Sequence, residues 1–451
     1  MAVVSPPPES YIQSILDTDA YKISMQNAIR QLYPEATVKY RFTNRGGTRF
    51  TRQMYNDVLV AINHLENVHL QPEERAFLEK RCPYLSADYL DFLTTYRFRP
   101  DEQVLLQFIP AGESGSDGVE WGSFELEVHG LWAETILYEV PLMSIISEAY
   151  FTHVDTKWDY VGQLENAKAK GLKLFEAGCL LSEFGSRRRR TYKAHDIVMR
   201  GLLAASSEAA QQGLKGKLVG TSNVHFAMKY DTAPIGTIAH EFIMGIAATE
   251  GYEGCNGTAM DMWEKVYPDG SLGIALTDTF TTRPFFDDFV GNPERARRWR
   301  GLRQDSGDPF KFIATAKEAW ERVGDDPSKK VVVFSDALDV DLCIKLKQAS
   351  DEAGIGCSFG VGTNLTNDFR HVEEPQQQPV EKLGEGAPRT EGDKSKALNM
   401  VIKLYSINEQ PCVKISDELT KNTGDPEAVK LVKLRFGLEK DGAESKWGPT
   451  I

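Results

Sequence analysis

The sequence predicts an α/β protein, an irregular TIM-like α/β barrel with an additional α+β domain formed from the N- and C-terminal segments. Three observations predict it. Between about residues 175 and 365 short apolar runs alternate with helical patterns, as buried parallel strands and crossover helices do. Nearly every apolar run ends in a polar or glycine-containing cluster, which suits the active face of a closed barrel. An open doubly wound sheet would instead gather such residues at one or two crossover points. Strand-like and helix-like segments mix at both ends of the chain.

The N-terminal segment supplies strands at Val38–Thr43, Val104–Ile109 and Phe124–His129, and Leu398–Tyr405 supplies another late in the chain. Residues 1–150 are therefore assigned to an α+β domain completed by 397–440, and 151–370 to the barrel. Within the barrel Leu180–Ser182 runs into Glu-Phe-Gly-Ser-Arg, Leu218–Val219 into Gly-Thr-Ser-Asn, and Leu272–Leu276 into Thr-Asp-Thr. Gly301–Leu302 ends in Arg-Gln-Asp-Ser-Gly-Asp, Val331–Phe334 in Ser-Asp, and Cys357–Phe359 in Gly-Val-Gly-Thr. Helices are predicted over Asp196–Gln212, Pro309–Val323 and Asp341–Ala353. Residues 371–396 read as a flexible insert and 441–451 as a polar tail.

Composition narrows the function classes. The 451 residues carry 52 Lys+Arg against 65 Asp+Glu, a net charge of −13 that argues against a general nucleic-acid binder. The longest apolar runs, such as Phe242–Ala248, are too short to cross a bilayer. Met1–Ser10 has three prolines and no basic residue, unlike a secretory signal. Six scattered cysteines without C-x-x-C read as reduced, mostly buried thiols. The expectation is a cytosolic enzyme with no nucleic-acid or membrane partner.

The strand ends carry the candidate chemistry. Arg187–Arg190 follow a strand end, where one or two guanidinium groups would grip a phosphate or carboxylate bidentately. A solvated helix start and a nuclear-import signal are the plainer readings, so nuclear entry stays open and Arg189 and Arg190 are candidates for the surface. Gly360-Val361-Gly362-Thr363-Asn364 follows a late strand, where backbone N–H groups turn toward phosphate. Asp278, Asp305, Asp308 and Asp336 stand at three further strand ends. Each alone reads as a helix N-cap; together they suit Mg²⁺ with phosphates, or sugar hydroxyls. His240 by itself reads as a structural histidine, and pairing it with His225 as a metal site matches no zinc spacing.

In their order these segments resemble the nicotinate phosphoribosyltransferase family, which has a type II phosphoribosyltransferase fold. The resemblance runs from Leu16-Asp17-Thr18-Asp19-Ala20-Tyr21-Lys22 and Tyr40-Arg41-Phe42-Thr43-Asn44-Arg45 through Glu183–Arg188, Gly220–Val224 and Gly236–Glu241. It ends with Arg303–Pro309, Phe334-Ser335-Asp336 and Phe359–Thr363. It implies synthesis of nicotinate mononucleotide and pyrophosphate from nicotinate and 5-phosphoribosyl 1-pyrophosphate, a step of NAD salvage. ATP is a co-substrate, Mg²⁺ the cofactor, and His240 the transient phosphohistidine, which replaces its structural reading.

The resemblance also assigns roles. Arg187, Arg303 and Mg²⁺ would support the leaving pyrophosphate, and Asp278 and Asp305 the ribose or metal. Gly360, Gly362 and Thr363 would hold the 5′-phosphate, with Thr221, Ser306, Gly307 and Asp336 also binding substrate. The pyridine ring would lie between Phe184 and a Tyr21 donated by the other subunit of a homodimer. Ser222, where the related nicotinamide-using enzyme has aspartate, would spare a carboxylate from repulsion, with Arg303 nearby. Two alternatives stay open: the nicotinamide-using activity, and a metal-dependent hydrolase or lyase using His225, His240 and the aspartates.

Overall fold

The structure, a computed structural model, describes residues 8–114, 118–373, 392–418 and 422–438. Most of the predicted insert and the whole tail lie outside these residues. The larger sheet is parallel and seven-stranded. Its order is Ala233–Pro234, Lys217–Thr221, Leu180–Glu183, Gly356–Val361, Val331–Phe334, Gly301–Gln304 and Ile274–Leu276. Followed around the curled sheet, this is chain order with one seam, between the first and last strands named. The sheet is a half-barrel whose ladder stays open there. A side chain bridges the gap, since Thr237 Oγ1 donates to the Ile274 carbonyl at 3.3 Å.

The strands form where the apolar runs predicted them because each buries a row of side chains. Leu181, Leu302, Val332, Phe334 and Phe359 are fully buried, and the rings of Phe334 and Phe359 stack at 5.8 Å. The returning helices carry their own start signals. Thr191 caps Tyr192–Gln211, Asp339 caps Val340–Ala353, and Asp308 accepts from the N–H groups of Phe310 and Lys311. Asp308 is thus an N-cap. The two-residue strand Ala233–Pro234 is too short to leave a periodic signal.

The second sheet is antiparallel. Gln410–Pro411, Met400–Ile407, Thr37–Asn44, Glu120–Leu131 and Phe50–Thr51 follow one another, and Val104–Ser114 pairs with Glu120–Leu131. Early and late chain meet here, with Tyr40 opposite Leu404. The six cysteines are free and buried. No helix among the described residues is long and apolar enough to cross a membrane.

Candidate active site

A cavity of about 710 Å³ opens where the antiparallel sheet faces the C-terminal ends of the parallel strands. The barrel side contributes Arg187, Arg188, His240, Arg303, Asp305, Ser306 and Asp336. Thr43, Arg45 and Asn399–Leu404 form the opposite wall, with Lys414 at its edge.

His240 is the first residue of the helix His240–Glu250 and is nearly buried. Its Nε2 lies 3.2 Å from Asp305 Oδ2 and 3.9 Å from Asp278 Oδ1; its Nδ1 lies 3.0 Å from Thr279 Oγ1. Burial, reinforced by the Lys414 ammonium, pushes the imidazole pKa down to about 4 against the pull of the two aspartates. The ring is therefore neutral near pH 7. An ionised carboxylate only accepts, so the Asp305 contact places the proton on Nε2 and leaves the Nδ1 lone pair to the threonine hydroxyl.

Asp305 is the hub of the site. Arg303 Nη2 donates to its Oδ1 at 3.1 Å and Ser335 Oγ at 2.5 Å. Burial would raise its pKa, yet Arg303 and His240 hold it well below the usual carboxylate range. Asp278 is fully buried: its Oδ2 accepts from Ser306 Oγ at 2.6 Å and faces Lys414 Nζ at 3.4 Å. Its Oδ1 has no hydrogen-bond partner among the described residues.

The aromatic and arginine side is built by the turn after Leu180–Glu183. Phe184 N donates to the Val361 carbonyl, and the Arg303 guanidinium lies 5.8 Å from the Phe184 ring centre. Arg187 reaches Glu139 at 3.4 Å and Asp19 at 3.9 Å. Behind the turn Glu183 accepts from His195, Thr221 and Gly185 N. This buried Glu183–His195 pair left no signal in the sequence.

Tyr21 lines the cavity beside Glu139 and Arg187. Backbone hydrogen bonds hold the segment in place: Ala20 N donates to Ser222 O, Val224 N to Thr18 O, and His225 N to Leu16 O. Asp19 then accepts from Ser186 Oγ at 2.6 Å and Ser222 Oγ at 2.7 Å.

Arg189 and Arg190 are fully buried rather than at the surface. Arg189 forks onto Asp17 at 2.7 and 2.8 Å, while Arg190 stacks 3.6 Å above the Phe151 ring centre and donates to Ser395 Oγ. Thr221 and Ser222 are buried, their hydroxyls donating to Glu183 and Asp19. Gly360 sits inside its strand opposite Ser182, and a Cβ there would fall 2.3 Å from Phe184 ring atoms. It makes room for that ring. Gly362 and Thr363 begin the short helix Thr363–Thr366, with Gly362 against the Phe184 backbone. Gly307 has a left-handed φ of +79° and abuts Asp417. His225 meets the Tyr192 hydroxyl at 2.9 Å, away from His240's partners. Among the described residues no group of three or more His, Cys, Asp and Glu side chains is arranged to hold a metal ion.

Such a half-barrel, with a neutral histidine between aspartates and arginines beside aromatic rings, defines a phosphoribosyltransferase-like site. The nicotinate phosphoribosyltransferase family model matches residues 179–440, and the model of that family's N-terminal domain matches 16–147. A probable nicotinate phosphoribosyltransferase of Schizosaccharomyces pombe is 41% identical over 434 residues, covering 95% of this chain and 99% of that protein. The crystal structure of a putative nicotinate phosphoribosyltransferase of Saccharomyces cerevisiae superposes with a TM-score of 0.86 at 40% identity, covering 95% of this chain and 99% of that one. The Porphyromonas gingivalis enzyme structure gives 0.80 at 34%, covering 94% of this chain and 100% of that one. The chain belongs to the nicotinate phosphoribosyltransferase family.

Proposed function

We propose that this chain joins nicotinate to 5-phosphoribosyl 1-pyrophosphate in the cytosol, forming nicotinate mononucleotide and pyrophosphate for NAD salvage. ATP hydrolysis is coupled through transient phosphorylation of His240. The observation that carries the reading is the neutral His240 facing Asp305, which Arg303 ties to the ring of Phe184. The family's name supplies the substrates.

In the transfer step the pyridine nitrogen attacks C1 of the ribose, and the C1–O bond breaks with its electron pair leaving on pyrophosphate. No general base is needed. The chain supplies alignment and charge instead. Tyr21 and Phe184 flank the ring, Arg187 and Arg303 hold the anions, and the N–H groups at Gly362 and Thr363 receive the 5′-phosphate. Asp278 and Asp305 face the positive charge that grows on the sugar. In the coupling step an imidazole nitrogen takes the γ-phosphoryl group, the bond to ADP breaks, and water later cleaves the phosphohistidine. Attack uses the ring nitrogen that carries the lone pair, so attack through Nε2 needs the tautomer with the proton on Nδ1, where Thr279 Oγ1 at 3.0 Å can accept it.

Magnesium is usually held by one or two carboxylates together with substrate phosphates rather than by an all-protein cage. Asp305 and Asp336 on the cavity wall fit that donor set and would hold it. When bound it neutralises phosphate charge.

The test is incubation with ATP, Mg²⁺, nicotinate and the phosphoribosyl donor, following ADP and nicotinate mononucleotide together. Both are expected to accumulate. Product without ADP would remove the coupling, and no product would remove the reaction.

A further inference from the structure

Lys22 is completely buried between two carboxylates that line the cavity from different elements. Its Nζ lies 2.6 Å from Glu139 Oε2 and is hydrogen-bonded to Glu241 Oε2. Glu139, from the helix Glu139–His153, reaches Arg187 through its other oxygen. Glu241 is the residue after His240, and its Oε1 accepts from Tyr40 OH at 2.5 Å and Trp132 Nε1 at 2.8 Å. One ammonium thus links the arginine turn, the start of the histidine helix and the antiparallel sheet.

We infer that Lys22 is a positioning residue for both halves of the reaction, holding Arg187 through Glu139 and His240 through Glu241. The inference rests on the proposed reaction. A buried ion pair contributes little net stability, because desolvation consumes most of the attraction and apolar replacements are often neutral. A purely structural need at this spot would be met by an apolar side chain. Three charges are kept here instead, and both carboxylates border the cavity. Among the described residues Arg187 has no shorter ion pair than Glu139, so its guanidinium follows that carboxylate. Tyr40 and Trp132 are themselves buried and fix Glu241 on the side opposite the lysine. Loss of Lys22 would release one carboxylate toward Arg187 and let the other pull the first turn of the histidine helix.

The experiment uses the full chain with Lys22→Met, Glu139→Gln and Glu241→Gln, each checked for folding by circular dichroism. Misplacement by about 1 Å costs about a hundredfold, and Lys22→Met is expected to lose that much kcat/KM, with a raised donor KM and slowed labelling of His240 by ATP. Glu139→Gln should raise the donor KM and spare labelling; Glu241→Gln should slow labelling and spare the donor KM. Lys22→Met with Glu241→Gln should recover part of the loss, since the amide removes the unpaired charge and donates to Glu139. A folded Lys22→Met protein with both parameters unchanged overturns the inference. So does a pair of glutamine variants that move the same parameter, which decides the matter even when Lys22→Met does not fold. Should the unmodified chain make no nicotinate mononucleotide, the reaction reading fails by itself. Calorimetric binding of 5-phosphoribosyl 1-pyrophosphate then compares the unmodified chain with Glu139→Gln: weaker binding supports the inference and equal binding overturns it.

Discussion

Gly360→Ala separates two roles that the Gly-Val-Gly-Thr segment could play. A methyl group at residue 360 would fall 2.3 Å from Cδ2 and Cε2 of Phe184 and 3.1 Å from its Cγ. The whole ring is in the way, and it cannot retreat with its backbone, because Phe184 N is bonded to Val361 O at 2.8 Å. It must swing about its side-chain torsions, which takes its face off the pyridine position and away from Arg303. Overpacking of this kind costs about 1–3 kcal/mol of stability. Offset stacking is worth about 0.5–1.5 kcal/mol, so its loss should raise the nicotinate KM by about three- to tenfold. Initial-rate kinetics with each substrate varied in turn provide the assay. The donor KM should stay within about twofold, since a shift of under about 0.5 kcal/mol is expected where no contact changes. A raised donor KM with unchanged nicotinate KM would refute the argument and return Gly360 to a phosphate loop.

Ser222→Asp would set a second carboxylate against Asp19, 2.7 Å from the present hydroxyl. Steady-state kinetics should show nicotinate use falling about tenfold or more while donor binding changes less, because like charges in a desolvated site repel. Unchanged nicotinate kinetics would remove the argument for the acid over the amide. Tyr21→Ala and His240→Ala, each inactive, should regain activity when unfolded and refolded together, since a homodimer that shares Tyr21 then forms sites with both residues intact. No activity in the mixture would show that Tyr21 serves its own chain's cavity. His240 also makes stability pH-dependent. Its folded pKa of about 4 lies below the ordinary 6.5, so its contribution is fully present above pH 6.5 and is lost as pH falls toward 4. Denaturant titrations of the chain and of His240→Asn should differ in that window by about 3 kcal/mol in pH response, and parallel curves would contradict the assigned burial.

Much of this was legible because it depends on local pattern. Val331–Phe334 and Gly301–Gln304 are short apolar runs that end in polar turns, and Asp305, Asp336 and Arg303 follow from the fold once the strands are placed. The family motifs added His240, whose own surroundings in the sequence are unremarkable. What stayed hidden depends on contacts across long separations. Lys403 and Lys414 reach the cavity from the late strand and its following segment, where a lysine looks like any solvated residue. Lys22 becomes legible only when Glu139 and Glu241 are seen around it. Arg189 and Arg190 were misplaced because a run of four arginines reads as surface, whereas Asp17 and the ring of Phe151 lie far away in sequence. Gly360 is ambiguous in sequence for a similar reason, since a glycine that admits a neighbouring ring and one that admits a phosphate look alike.

Net charge shows the same limit. The chain carries −13 overall, yet its cavity sets Arg45, Arg187, Arg188, Arg303, Lys403 and Lys414 against the carboxylates of Glu139, Glu241, Asp305, Asp336 and Glu418. At physiological salt a surface field fades within about 8 Å, so anionic substrates meet this local cluster and not the average. The most direct measurement is the site of phosphorylation. The chain is incubated with γ-labelled ATP and Mg²⁺, digested under alkaline conditions, and the labelled peptide is sequenced. The account predicts acid-labile, base-stable label on His240, absent from His240→Ala. Label on another residue, or none while ADP and nicotinate mononucleotide still form together, would contradict it.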